Sequence, residues 1–175
     1  MLSIYQIKYV KIQEIKLFDI LGLEDTDFSI AVLNTLAHLK VIVLNVEQDF
    51  KIDETLKTTP LTLQNPEILE ELGFSGVGIP LSDLIILLQN TPNLEKLSLE
   101  YLGLETLPFD CKQLPKLRIL SIEWNKLSEL PINFFSDLTH LEELYLYWNR
   151  FRTKPQGIPE NVKIIDFDEQ DPDDD

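Results

Sequence analysis

Three stretches of the chain lie over one another without a gap. Residues 94–108 read LEKLSLEYLGLETLP, residues 117–131 read LRILSIEWNKLSELP, and residues 141–155 read LEELYLYWNRFRTKP. They begin 23 and 24 residues apart. Each has an apolar residue at relative positions 1, 4, 6 and 11, and two of them carry Asn at position 9, Asn125 and Asn149. A short period of this kind constrains the fold more than any single motif does. A unit of two dozen residues cannot bury its own leucines, so it must stack on copies of itself.

Weaker copies extend the pattern. Leu69, Leu72, Phe74, Val77 and Ile79 fit it 25 residues before Leu94. Leu39, Ile42 and Leu44 fit 30 residues earlier, and Ile12, Ile15, Leu17 and Ile20 another 27 before those. Val162, Ile165 and Phe167 form a truncated last copy, which brings the expectation to about seven strands. Positions 4 and 6 alternate with more polar residues, as a strand with one buried face requires. One strand per 23–30 residues leaves room for a return segment, so neighbouring strands run parallel. The returns carry helix signals: Asp25-Thr26-Asp27 before residues 28–39, and Ser82 before a helix ending at Leu88. After Pro108 and Pro131 the returns hold about one turn each.

The pattern resembles that of the leucine-rich repeat family, whose signature is LxxLxLxxNxL. That resemblance implies an α/β solenoid, an arc with a concave parallel β-sheet and a convex side of short helices, 3-10 turns and loops. It divides the chain into a cap segment at 1–11, a repeat domain at 12–167 and an acidic tail at 168–175. The family's Asn at position 9 forms a ladder bonding adjacent turns. Here that position holds Ile20, Glu47, Val77 and Leu102 in the earlier units, so a ladder is expected only at Asn125 and Asn149.

In this family the variable positions of each unit face the concave side, and equivalent positions form columns. Position 8 gives Gly76, Tyr101, Trp124 and Trp148, so the chain's two tryptophans share one slot on adjacent strands. Position 7 adds Glu100, Glu123 and Tyr147, position 10 adds Gly103, Lys126 and Arg150, and at position 5 Tyr145 follows Ser98 and Ser121. Exposed Trp and Tyr flanked by charges have the composition of a recognition hot spot. The plainer reading is that the rings cover the sheet and support one another, a contribution of roughly 0.2–1 kcal/mol per pair. The two readings are compatible. Val41, Val43 and Val46, beside Phe18 and Leu21, predict an apolar patch at the N-terminal end of the same face. Such a patch is buried by residues 1–10 folding back or by a partner, including a second copy of the chain.

Chemistry finds little to work with. His38 and His140 precede position 1 of units four strand steps apart, on the order of 20 Å, and share neither a metal nor a proton. Cys111, the only cysteine, falls three residues after Pro108 as Phe134 does after Pro131, a slot facing the convex core. Gly73, Gly76 and Gly78 have the spacing G-x-x-G-x-G, not that of a dinucleotide loop, and leave a shallow notch beside Tyr101. The acidic tail lacks the glycine and terminal glutamate of a calcium loop and reads as a solvated extension. No catalytic residue, cofactor or metal is expected.

Charge narrows the partner. The 175 residues carry 30 acids against 15 bases, a formal charge of −15, which disfavours nucleic acid and anionic membranes. Eight acids and one base lie in residues 160–175, so nearly half of the acidity is a tail effect. Around the aromatic column Glu100 and Glu123 are opposed by Lys126 and Arg150, which predicts a mixed patch and leaves the rings as its defining feature. The first residues lack the pattern of a signal peptide, no apolar run is long enough to span a bilayer, and one cysteine allows no internal disulfide. These features predict an intracellular, cytoplasmic protein. The sequence therefore reads as a non-catalytic module that binds a protein partner through Tyr101, Trp124, Trp148, Tyr145, Tyr147, Glu100, Glu123, Lys126 and Arg150. The alternative is a structural repeat protein that homodimerises through its apolar first units or open sheet edges.

Overall fold

The computed structural model describes residues 13–17, 33–45, 61–77, 79–107, 109, 111–165 and 167. Among them seven strands form one sheet: β1 (Glu14–Leu17), β2 (Val41–Asn45), β3 (Glu71–Ser75), β4 (Lys96–Glu100), β5 (Ile119–Ser121), β6 (Glu143–Tyr145) and β7 (Lys163–Ile165). Each pairs in parallel with its neighbours in sequence, in the order β1 to β7. That order is the signature of a solenoid, in which each unit contacts only the units before and after it.

The register follows the apolar positions. Ile15, Ile42, Leu72, Leu97, Leu120 and Leu144 lie opposite one another from β1 to β6. From Ile42 onward this column is fully buried, as are Leu69, Leu94 and Leu117 at position 1. Leu44, Phe74, Leu99, Ile122 and Leu146 fill position 6 of the same core. A fully buried leucine contributes roughly 1.5–3 kcal/mol, and each of these is buried only because a neighbouring unit covers it. The stack, not the single unit, is therefore the stable object.

The truncated copy departs from expectation by one residue. Ile164, not Ile165, lies opposite Leu144, and Ile165 pairs with Tyr145. Val162 is buried and Phe167 packs against the core, so the sequence spacing found the core residues but not the strand pairing between them.

Among the described residues, the convex side carries the helix α1 (Leu81–Leu88), which buries Leu84, Leu87 and Leu88. Its N-cap is Pro80, not Ser82, and no side chain caps it. Ser82 lies in the first turn and its hydroxyl donates to Asp83, whose other oxygen accepts the amide of Leu61. Proline suits this boundary because it fixes φ and has no amide to leave unsatisfied. Elsewhere among the described residues the returns hold 3-10 turns at Pro66–Ile68 and Cys111–Gln113, and turns over 132–137. Of the helix expected over 28–39, residues 28–32 lie outside the described residues, Leu33 is helical, and residues 34–39 are turns or irregular. Cys111 is buried as expected, and Phe134 stacks obliquely on Phe109 at 6.5 Å.

Candidate functional site

The aromatic column sits where each strand ends. Gly76, Tyr101, Trp124 and Trp148 have φ of 67°, 52°, 55° and 48°, so position 8 is left-handed in four consecutive units. The rings therefore rise from the turns that follow the strands, and not from the strands themselves as the repeat frame suggested. The backbone fixes their spacing. The amide of Gly76 donates to the Glu100 carbonyl at 3.1 Å, that of Tyr101 to Glu123 at 3.4 Å, and that of Trp124 to Tyr147 at 2.9 Å. Gly76, Tyr101 and Trp124 are thus each bonded to position 7 of the next unit.

Asparagine locks the same turns from inside. Asn125 Oδ1 accepts the amides of Leu102 and Leu104, and its Nδ2 donates to the carbonyls of Leu99, Ile122 and Glu123. Asn149 accepts from Leu127 and donates to Ile122, Leu146 and Tyr147. Both asparagines are buried. A buried amide that meets several backbone groups at once satisfies polar atoms that would otherwise lack water.

On this frame the rings form a continuous stack. Tyr101 and Trp124 are 4.7 Å apart and 17° from parallel, and Trp124 and Trp148 are 4.5 Å apart and 10° from parallel. The spacing matches that of neighbouring strands. Tyr147 stands edge-on to both tryptophans, at 5.3 and 6.0 Å. Trp148, at the end of the stack, remains 38% exposed. Burial and the carboxylates of Glu100 and Glu123, with the Tyr147 phenol, push the Tyr101 phenol above its usual range.

The other predicted residues separate into two groups. Glu100, Glu123 and Tyr145 line a groove of about 490 Å³ on the concave sheet face. Gly73, Ser98 and Ser121, all at position 5, form its floor, with Val43 at one end and Tyr145 at the other. Lys126 and Arg150 do not line it. The groove lining is therefore more acidic than the mixed patch read from the sequence. Of the charged groups at the groove, Glu71, Glu100, Glu123 and Glu143 are acidic and only Lys96 is basic.

Sequence reasoning did not find this groove, although its signal was present. Reading position 5 across units gives Val43, Gly73, Ser98, Ser121 and Tyr145, a run of small residues closed by larger ones. The expected glycine notch is partly filled, because a Cβ on Gly73 would lie 3.3 Å from both methyls of Val43. Gly78, Val46, Phe18, Leu21 and residues 168–175 lie outside the described residues. Val41 and Val43 are half-buried on the outward side of β2. His38 and His140 are exposed, and no group of three or more His, Cys, Asp or Glu among the described residues is placed to hold a metal. No helix among them is long and apolar enough to cross a membrane.

Residues 116–138 match the family model described as Leucine Rich Repeat. The match covers one unit of the repeat and supports the resemblance of the chain to the leucine-rich repeat family. No curated protein matches it. Leucine-rich repeat domains generally mediate protein–protein interaction, and the family is typically non-catalytic. Among the described residues, the parallel sheet of seven strands with few helices fits an α/β solenoid arc of that kind.

Proposed function

We propose that this repeat protein is a non-catalytic module that holds a protein partner on its concave side, with Trp124 and Trp148 as anchors. Tyr101, Tyr145 and Tyr147 extend the contact area, and Glu100, Glu123, Lys126 and Arg150 set its polar register. The observation that carries the reading is the ring stack on left-handed turns. A residue with a Cβ costs roughly 1–2 kcal/mol in that conformation, and glycine, which avoids the cost, occupies the same position at Gly76. Stacking returns about 0.5–1.5 kcal/mol per pair, so ring support alone only offsets the strain. Large rigid rings kept at a strained, partly exposed edge suit a surface that gains more when a partner covers it. The buried single cysteine suits a reducing compartment, and the module is placed inside the cell.

The test is the Trp124→Ala/Trp148→Ala double variant, with folding verified by circular dichroism and by chemical denaturation. Loss of co-purifying proteins from a folded variant is the expected result. Unchanged co-purification removes the tryptophans as anchors.

A further inference from the structure

The two tryptophans of the stack are placed differently. Trp124 has Tyr101 on one face at 4.7 Å and Trp148 on the other at 4.5 Å, both nearly parallel to it, and Tyr147 stands at 73° beside it. Both of its faces are therefore taken. Among the described residues, Trp148 has ring contacts only with Trp124, stacked at 10°, and with Tyr147, inclined at 64°. Trp148 is the exposed end of the stack, whereas Tyr101, at the other end, is half-buried. The chain does not supply a ring for the next step. With Ile164 opposite Leu144, position 8 of the last unit falls at Asp168. The backbone cost is alike at both tryptophans, since φ is 55° at Trp124 and 48° at Trp148. Trp124 has two stacked neighbours to set against that cost, and Trp148 has one.

We infer that the outward face of Trp148 receives a neutral aromatic side chain of the partner, which continues the stack, and that Trp124 is a positioning residue that fixes the plane of that face. The inference rests on the module reading and names the group its partner presents. The series itself sets the geometry. Its rings are 4.7 and 4.5 Å apart and 17° and 10° from parallel, so a further ring laid on Trp148 at a similar spacing repeats a contact the chain already makes twice. An aromatic ring fits better than an aliphatic side chain, because stacked rings gain more than the area they bury. It also fits better than a guanidinium. A neutral ring on the indole removes apolar surface of both from water, whereas a cation laid there gives up part of its hydration.

The chain has two tryptophans, so isotope-labelled full-length protein gives two indole N–H signals, and Trp148→Phe identifies the one that belongs to Trp148. The probe is the acetylated, amidated tripeptide Gly-Tyr-Gly, with Gly-Leu-Gly and Gly-Arg-Gly as aliphatic and cationic comparisons. The tyrosine peptide is expected to move the Trp148 signal upfield and saturably, and that of Trp124 less. It is expected to bind about two- to tenfold more tightly than the leucine peptide. Trp148→Ala, with folding checked by circular dichroism, is expected to lose that preference, and Trp148→Phe, which keeps a plane, to retain part of it at the backbone amides of the turn. Trp124→Ala is expected to weaken binding and Trp124→Phe to recover it. Ile86→Ala, at an exposed apolar site on α1, is expected to change nothing. No saturable shift, a larger shift at Trp124, or equally tight binding of the leucine or arginine peptide overturns the inference. Equal binding in Trp124→Ala and Trp124→Phe removes the positioning role. Movement of the Trp148 signal with protein concentration alone puts a second copy on that face and also overturns it. Partner capture separates the inference from the reading beneath it. If folded Trp148→Ala keeps partners that the double tryptophan variant loses, the ring slot fails while the module stands. If the double variant keeps them, the anchor reading fails whatever the peptide does.

Discussion

Asn125 and Asn149 donate to one carbonyl oxygen, that of Ile122, from 3.1 and 2.9 Å. Two consecutive units are therefore tied at a shared acceptor, and the turns that carry Trp124 and Trp148 are held together. Replacing Asn149 by Ala would leave the buried amide of Leu127 without its side-chain acceptor and remove three donations to carbonyls. An unmet buried polar group costs about 1–3 kcal/mol, so the loss is expected near the upper end of that range. Asn125→Ala should be comparable. Because the two share Ile122, a double-mutant cycle by urea denaturation should show coupling, and strict additivity would mean that the shared acceptor is energetically unimportant.

At Trp148 the backbone and the ring make opposite demands. With φ of 48°, any residue with a Cβ is strained there, while the indole stacks on Trp124. Trp148→Ala loses the ring and keeps the strain, whereas Trp148→Gly loses the ring and relieves it. The glycine variant is expected to be the more stable of the two by about 1 kcal/mol. Equilibrium denaturation of both checks this, and an alanine variant as stable as the glycine one would mean that the turn relaxes away from the left-handed region.

The repeat made most of this legible in advance. The apolar columns from Ile15 to Leu144 needed only the period and the alternation within each strand, because burial is a face-by-face property that sequence spacing carries directly. The ring column was legible for the same reason. Two things were not. Left-handed φ at Tyr101, Trp124 and Trp148 depends on hydrogen bonds between units, and these residue types do not advertise it. That Glu100 and Glu123 line the groove while Lys126 and Arg150 do not depends on where the chain turns after position 8, which the sequence spacing does not show. At β7 the spacing failed outright, because short strands at the end of a stack have few apolar residues to fix their register.

The edge opposite the rings carries an ion-pair column. Arg118 bonds both oxygens of Glu142, at 3.0 and 2.9 Å, and lies 3.6 Å from Glu95. Hydrogen bonding to Arg118 holds the Glu142 carboxyl below its usual range, and Arg118 is held more firmly protonated in return. A carboxyl whose pKa is lowered by folding contributes stability above its unfolded pKa and loses it as pH falls through the folded one. Stability carried by this pair is therefore expected to fade on acidification below the ordinary glutamate range. Carboxyl chemical shifts should show Glu142 titrating low and returning upward in Arg118→Ala. The pair is exposed at the surface, so its effect on global unfolding is expected to be small. A normal Glu142 titration in the parent chain would mean that the fork is not populated in solution.

Tyr101 titrates in the opposite sense. Its phenol is raised first by burial in the stack and then by Glu100, with Tyr147 and Glu123 adding to it. The folded chain therefore holds this proton more tightly than the unfolded chain does. Stability is unaffected below the ordinary phenol pKa of 10.0 and is lost as pH rises above it, because the unfolded state ionises first. The order of causes sets the order of variants. Glu100→Gln removes one charge and should return only part of the shift. Trp124→Ala uncovers the ring and should return more. Ultraviolet titration of each, with Tyr101→Phe as the reference that isolates this phenol from the other four, provides the measurement. If Glu100→Gln returned the larger part, charge would outweigh burial at the ring edge. The acidic wall of the groove would then act on the stack more strongly than the stack's own packing does.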